Sequence, residues 1–136
     1  MQRLVAFVSL ALLSWCLYAQ TSTVWDGAYS EEQATRGKSV YNQECARCHS
    51  ETLGGGEDSP ALVGKEFMEK WHGKTVGDLF ERTRKTMPTD GPNTLTRKQY
   101  ADVIAYLLRA NEFPSGQKVI GTDLASMQQI RIEPKK

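Results

Sequence analysis

The sequence predicts a small all-α domain, and four observations lead to this class. Ser30, Thr75 and Thr96 are typical N-cap residues, and each is followed three positions later by Gln or Asp. Strand-type alternation of apolar and polar residues is absent from the sequence. The 136 residues suit one domain of three to five helices. Apolar residues also follow a helical stripe, at Tyr100, Val103, Ile104, Leu107 and Leu108.

Residues 1–19 have the pattern of a secretory signal peptide. Arg3 precedes a nearly continuous apolar run over residues 4–13, and Ala19 stands before the expected cleavage site at Gln20. The run is short for a membrane-spanning helix, so we expect an exported, periplasmic protein. An uncleaved N-terminal anchor is the alternative, and membrane contact is expected only in that case.

A short lead-in over residues 20–29 is followed by a helix that begins after Ser30 and ends near residue 42. Gly37 in the interior of this helix costs about 1 kcal/mol relative to alanine. We therefore expect a second helix to approach closely at Gly37. A glycine-rich loop follows over residues 54–60.

Three more helices are expected before residue 113. The first covers residues 65–71, and the second begins after Thr75 and ends near residue 85. The third begins after Thr96, which forms a capping box with Gln99. The predicted domain spans residues 30–113. The tail of residues 114–136 is expected to pack on it or to be partly flexible, with a short helix over residues 124–129.

The most informative motif is Cys45-Ala46-Arg47-Cys48-His49, which has the spacing of a c-type haem attachment site. Positions i, i+3 and i+4 of a helical turn share one face. Both thiols can therefore form thioethers with the vinyl groups of one porphyrin, and His49 can bind the iron as the proximal ligand. One covalent haem c is the expected cofactor.

Two other interpretations of the motif fit less well. A thioredoxin-like redox pair is typical of a strand–helix–strand pattern, and none is visible here. A structural zinc site requires four ligands, which would have to be Cys45, Cys48, His49 and the distant His72.

Met87 is the candidate for the second axial position on the iron. It lies in a predicted loop directly before Pro88, whose fixed φ stiffens the chain beside the ligand. A thioether ligand favours ferrous iron and raises the reduction potential relative to two histidines. Met68, Met127 and His72 are the rival candidates, and His72 would give bis-histidine ligation.

Other residues are expected to surround the haem. Metal-binding histidines usually donate their second N–H to an oxygen, and the Pro60 carbonyl is a candidate acceptor for His49. The candidates for the haem wall are Tyr41, Leu53, Leu62, Phe80, Leu95 and Tyr106.

The charge composition bears on nucleic-acid binding and on how a redox partner docks. The chain has 17 Lys and Arg against 16 Asp and Glu side chains, a balance that gives no support for nucleic-acid binding. Basic residues concentrate around Met87, and they are either solvated or form a docking rim for an acidic redox partner. They are Arg82, Arg84, Lys85, Arg97 and Lys98.

Over residues 28–113 the ordered motifs resemble class I cytochromes c. The resemblance rests on Gly37 with Tyr41, on the Cys45–His49 motif, on Pro60-Ala61-Leu62, on Met87-Pro88 and on the closing helix with Ile104-Ala105-Tyr106-Leu107. It implies a single-electron carrier between a redox protein donor and acceptor, not an enzyme. The alternatives are a haem-based ligand-binding or peroxidase-like protein, and a fixed cytochrome subunit of a larger redox complex.

A narrower set of residues is similar to cytochrome c domains associated with pyrroloquinoline-quinone (PQQ) alcohol dehydrogenases. It consists of Trp25-x-Gly27-x-Tyr29, of Trp71-x-Gly73-Lys74-Thr75-Val76, and of Asp102-Val103 before the closing motif. This similarity implies a PQQ-dependent dehydrogenase as donor and a respiratory acceptor, such as a terminal oxidase, downstream.

Overall fold

The computed structural model describes residues 21–135, and within them the fold is built almost entirely of helices. A 3₁₀ turn over Val24–Asp26 precedes the first helix. The α-helices are α1 (Glu31–Glu44), α2 (Ala46–His49), α3 (Gly64–Trp71), α4 (Val76–Thr86), α5 (Arg97–Ala110) and α6 (Leu124–Gln128). The predicted all-α class is confirmed, and the additional helix is α2, the single turn that carries the cysteine motif.

The predicted helix starts are confirmed by their caps. The Ser30 side chain accepts a hydrogen bond from the Gln33 N–H, and Thr75 and Thr96 each form a reciprocal capping box with the third helical residue. These interactions span only three residues. Local sequence is therefore sufficient to place the helix starts.

Helices α1 and α5 cross at the centre of the fold. Every residue of α5 from Tyr100 to Leu108 is buried, including the carboxylate of Asp102. A methyl group built on Gly37 would lie 1.8 Å from the Asp102 carbonyl oxygen, so the two backbones touch there. The expected close approach at Gly37 is confirmed. The Asp102 carboxylate is hydrogen-bonded by Arg36 and Lys98.

The C-terminal tail returns to the N-terminal lead-in. Strands β1 (Ser22–Thr23) and β2 (Ile130–Arg131) form a parallel pair. Met127 of α6 is fully buried, and the indole N–H of Trp25 donates to the Glu133 carbonyl at 2.9 Å. The sequence did not predict this pairing, because two-residue strands are too short to show alternation.

The signal peptide predicted over residues 1–19 lies outside the described residues. Across residues 21–135, no helix combines the length and the apolar character that crossing a bilayer requires.

Candidate functional site

A cavity of about 270 Å³ brings the predicted haem residues together. Cys45, Cys48 and His49 line it, and so does Met87, from the far end of α4. Loop residues 58–62 and the neighbouring faces of α3, α4 and α5 complete the lining. The volume is close to the lower end of the range for small-molecule sites, about 300–1000 Å³.

The His49 side chain is buried and oriented for metal binding. Helix α2 turns back so that the His49 N–H donates to the Cys45 carbonyl at 3.0 Å. The ring Nδ1 lies 2.9 Å from the Pro60 carbonyl oxygen. Because a carbonyl only accepts, Nδ1 must carry the hydrogen, and in the neutral ring Nε2 then keeps its lone pair. This is the arrangement typical of a histidine metal ligand.

A tight loop places the Pro60 carbonyl. The Gly55 N–H donates to the His49 carbonyl at 3.0 Å, and Gly55 has a φ of +78°. A side chain on Gly55 would meet the Ser59 carbonyl oxygen at 2.5 Å. Glycine at this position therefore allows the loop to fold onto the motif.

The two cysteines are unpaired, and their environment argues against a redox dithiol. Burial, together with the neighbouring Glu44 and Cys48, raises the pKa of the Cys45 thiol to about 11. Reactive Cys-x-x-Cys pairs have the opposite property, a lowered thiol pKa. Within residues 21–135, no group of three or more His, Cys, Asp or Glu side chains is placed to hold a metal ion such as zinc.

Among the methionines of residues 21–135, Met87 alone lines the cavity. Met68 packs against the outside of the core, and Met127 of α6 is buried within the core. The His72 side chain is 57% exposed and lies 3.6 Å from Glu133. The Met87–Pro88 peptide bond is cis, and Pro88 also lines the cavity.

Only some of the residues expected in the haem wall line the cavity. Tyr41, Pro60 and Leu62 line the cavity. Leu53, Phe80, Leu95 and Tyr106 lie outside the lining.

Packing explains why four of the expected haem-wall residues lie outside the cavity lining. The Phe80 ring packs edge-on against the Tyr100 ring, with 6.3 Å between the ring centroids. The Tyr106 and Tyr41 rings also pack together, with 5.2 Å between their centroids. Leu53 and Leu95 pack into or against the surrounding core. These four residues therefore support the lining without forming its surface.

Apolar residues that the sequence did not single out complete the wall. Leu79 of α4 and Trp71 of α3 line the cavity, as do Val103 and Leu107 of α5. Val103 and Leu107 belong to the helical stripe, and their spacing of four residues was the available signal. The choice of Leu79 over its neighbour Phe80 depends on how α4 is rotated in the fold, which no local pattern shows.

Three lining residues, Lys70, Trp71 and Arg82, have side chains that can donate hydrogen bonds to carboxylates. Lys70 and Arg82 line the cavity and form no ion pair with any described residue. The indole of Trp71 is 7% exposed, and its N–H has no acceptor within the described chain. Two acids, Glu44 and Asp58, also line the cavity, on the segments that flank the cysteine motif. The residues present fit a haem, with its two thioether links, axial ligands and propionates.

An all-α fold with this cavity and this motif defines a class I c-type cytochrome, with haem c as its cofactor. The chain belongs to the family described as cytochrome c oxidase, cbb3-type, subunit III, whose model matches residues 32–107.

A solved structure has the same fold. It is the crystal structure of the sulfane dehydrogenase SoxCD from Paracoccus pantotrophus, with 20% identity and a TM-score of 0.55. The match covers 79% of this chain and 61% of that chain, so this chain spans about three fifths of that neighbour's length. A comparison with the curated proteins finds no significant match.

Proposed function

We propose that the protein is an exported single-electron carrier whose haem is held by Cys45 and Cys48 and ligated by His49 and Met87. One observation carries the proposal. A histidine whose Nε2 is left free and a methionine from a distant segment line the same cavity. When bound, haem c supplies an iron centre that accepts and releases one electron.

The chain's residues restrict what else can happen at the site. With His49 and Met87 both holding the iron, no position would remain for peroxide or a gas. The apolar lining from Leu79, Val103 and Leu107 would keep water away from the faces of a bound haem. Ligands that stay in place in both oxidation states keep the reorganisation on electron transfer small. These properties favour a carrier over a haem enzyme.

We assign the propionate contacts to Lys70, Arg82 and the indole N–H of Trp71. Hydrogen bonds from charged donors to carboxylates are about twice as strong as neutral ones. Lys70 and Arg82, the two lining cations without an ion pair among residues 21–135, would therefore hold the propionates of a bound haem.

The donor is proposed to be a dehydrogenase, with a PQQ-dependent alcohol dehydrogenase as the specific candidate, and the acceptor a respiratory protein such as a terminal oxidase. The residues around Trp25 and Trp71 support this candidate through their similarity to dehydrogenase-associated cytochromes. The leader pattern of residues 1–19 supports a periplasmic location.

Intramolecular contacts engage most of the basic stretch around Met87. Arg84 and Lys85 both bind Glu81, and this lowers the pKa of Glu81 to about 2. Lys98 binds Asp102. Arg97 donates to the Thr122 carbonyl and lies over the Phe80 ring. Only the Arg82 side chain of this stretch forms no hydrogen bond or ion pair within residues 21–135, so a broad basic docking rim has little support.

The test is the absorption spectrum of the exported protein in both oxidation states. We expect sharp low-spin c-type bands and a weak far-red band from methionine bound to ferric iron. Met87→Ala should abolish the far-red band. Met68→Ala is the matched control, because Met68 is partly buried but does not line the cavity, and it should leave the band unchanged.

Two results would contradict the proposal. A high-spin spectrum, or rapid carbon monoxide binding by the reduced wild type, would favour a ligand-binding or peroxidase-like protein. A low-spin spectrum that Met87→Ala leaves unchanged would remove Met87 from the iron. Stable co-purification with a dehydrogenase would instead identify a fixed subunit with the same haem chemistry.

A further inference from the structure

The backbone of Met87 is held by two different helices. Its N–H donates to the Thr83 carbonyl of α4 at 2.8 Å. Its carbonyl accepts a hydrogen bond from the Tyr100 hydroxyl of α5, also at 2.8 Å. Both backbone polar groups of the residue are therefore engaged, from two directions.

Tyr100 is itself firmly placed. Its side chain is 1% exposed, and its ring meets Phe80 of α4 edge-on. It lies in the first turn of α5, directly after the Thr96 capping box. The hydroxyl therefore has few other positions, and the hydrogen bond costs little additional side-chain entropy.

Contacts at the surface hold the same segment less firmly. Asp90 pairs with Arg47 of the cysteine motif, and both side chains are more than half exposed. Exposed ion pairs contribute little and are screened by salt. The tyrosine hydrogen bond, which is partly buried, is thus the stronger of these two restraints on the segment that carries Met87.

We propose that Tyr100 is a positioning residue, which holds the Met87 backbone where its thioether reaches the iron. This inference rests on the proposed function, because it assumes that Met87 is the axial ligand. Without the hydroxyl, the Met87 segment detaches from α5 more often. Methionine then leaves the iron more often, although every haem-binding side chain is still present.

The experiment measures how readily an external ligand replaces methionine. Imidazole is titrated into the ferric holoprotein at one fixed pH, while the loss of the far-red band is followed. The variants are Tyr100→Phe, Tyr29→Phe and Met87→Ala. Tyr29 is the matched control, since it is also 1% exposed and donates to a backbone carbonyl, but that carbonyl belongs to Phe113 and not to the segment that carries Met87.

We expect Tyr100→Phe to bind imidazole roughly threefold to tenfold more tightly than the wild type, the effect of losing one partly buried hydrogen bond. Tyr29→Phe should bind it as the wild type does, although both variants lose one hydrogen bond. Met87→Ala sets the upper limit of imidazole affinity, because it has no methionine at this position to displace.

The outcomes separate the two proposals. Equal imidazole affinity in Tyr100→Phe and wild type, with tight binding by Met87→Ala, would overturn the role of Tyr100 and leave Met87 as the ligand. An equal increase in Tyr100→Phe and Tyr29→Phe would also overturn it, because the effect would then be general destabilisation. Equal affinity in Met87→Ala and wild type would refute the ligand assignment and, with it, the role of Tyr100.

Discussion

Replacing Gly37 with alanine is expected to force α1 and α5 apart. The added Cβ would lie 1.8 Å from the Asp102 carbonyl oxygen and 2.4 Å from its carbon, whereas ordinary contact begins at 3.4 Å. The obstacle is the backbone of a buried helix, so no side-chain rotation relieves the clash. One helix must move by roughly 1.5 Å at the centre of the fold.

The free-energy cost of the clash in Gly37→Ala exceeds the gain in helix propensity. Overpacking typically costs about 1–3 kcal/mol, and a clash with buried backbone belongs at the upper end of that range. Alanine returns about 1 kcal/mol of helix propensity. The net loss is therefore about 2 kcal/mol or more, out of the roughly 5–15 kcal/mol that stabilise a typical domain. The melting temperature should fall by about 10 °C.

Denaturant unfolding of the holoprotein, followed by circular dichroism, measures this loss. Gly77→Ala is the matched control, because Gly77 is also a buried helical glycine. The nearest atoms to its Cβ are the Gln128 Cγ at 2.7 Å and the Gln128 backbone nitrogen at 3.1 Å, so the overlap with backbone is much smaller than at Gly37. We expect Gly77→Ala to stay within about 1 kcal/mol of wild type. If Gly37→Ala proves as stable as Gly77→Ala, the argument from backbone contact is wrong.

Three further predictions concern charge, packing and potential. Burial alone would raise the pKa of Asp102, but hydrogen bonds from Arg36 and Lys98 outweigh it and hold the pKa below the ordinary 3.8. The ionised Asp102 carboxylate thus stabilises the fold at pH values above its ordinary pKa. This stabilisation is lost as the pH falls through the lowered pKa of the folded state. The stability difference between wild type and Asp102→Asn, measured by denaturant unfolding, should therefore shrink from about pH 6 to about pH 3. Met127→Ala should cost about 2–5 kcal/mol in the same assay, because the side chain is fully buried, yet leave the far-red band intact; loss of that band would contradict its purely structural role. Arg82→Gln should lower the reduction potential by roughly tens of millivolts in a redox titration, because a cation at the cavity favours the reduced state, and an unchanged potential would contradict the propionate contact.

The sequence was sufficient for the features that depend on neighbours along the chain. The capping boxes at Thr75 and Thr96 link residues three apart, and the helix starts were predicted correctly for that reason. The Cys45–His49 motif needs only one helical turn to bring its side chains to one face. Gly37 indicated a close contact, although not which residue would make it.

The haem wall was harder to predict, because it depends on contacts between distant segments. Phe80 and Leu79 are adjacent on α4, and only the packing of Phe80 on Tyr100 directs Leu79 into the cavity. The indole of Trp71 looks from sequence like an ordinary core residue. Its unengaged N–H is visible only once the surrounding groups are in place.

The sequence by itself determined the all-α class, the helix starts and the haem attachment motif, since each is specified within a few consecutive residues. The tertiary structure decided which methionine shares the cavity with His49, which cations face it and which tyrosine holds the Met87 backbone. Those choices depend on the relative rotation and spacing of α3, α4 and α5. Such relations are set by contacts between residues far apart in the chain, such as that of the Gly37 and Asp102 backbones.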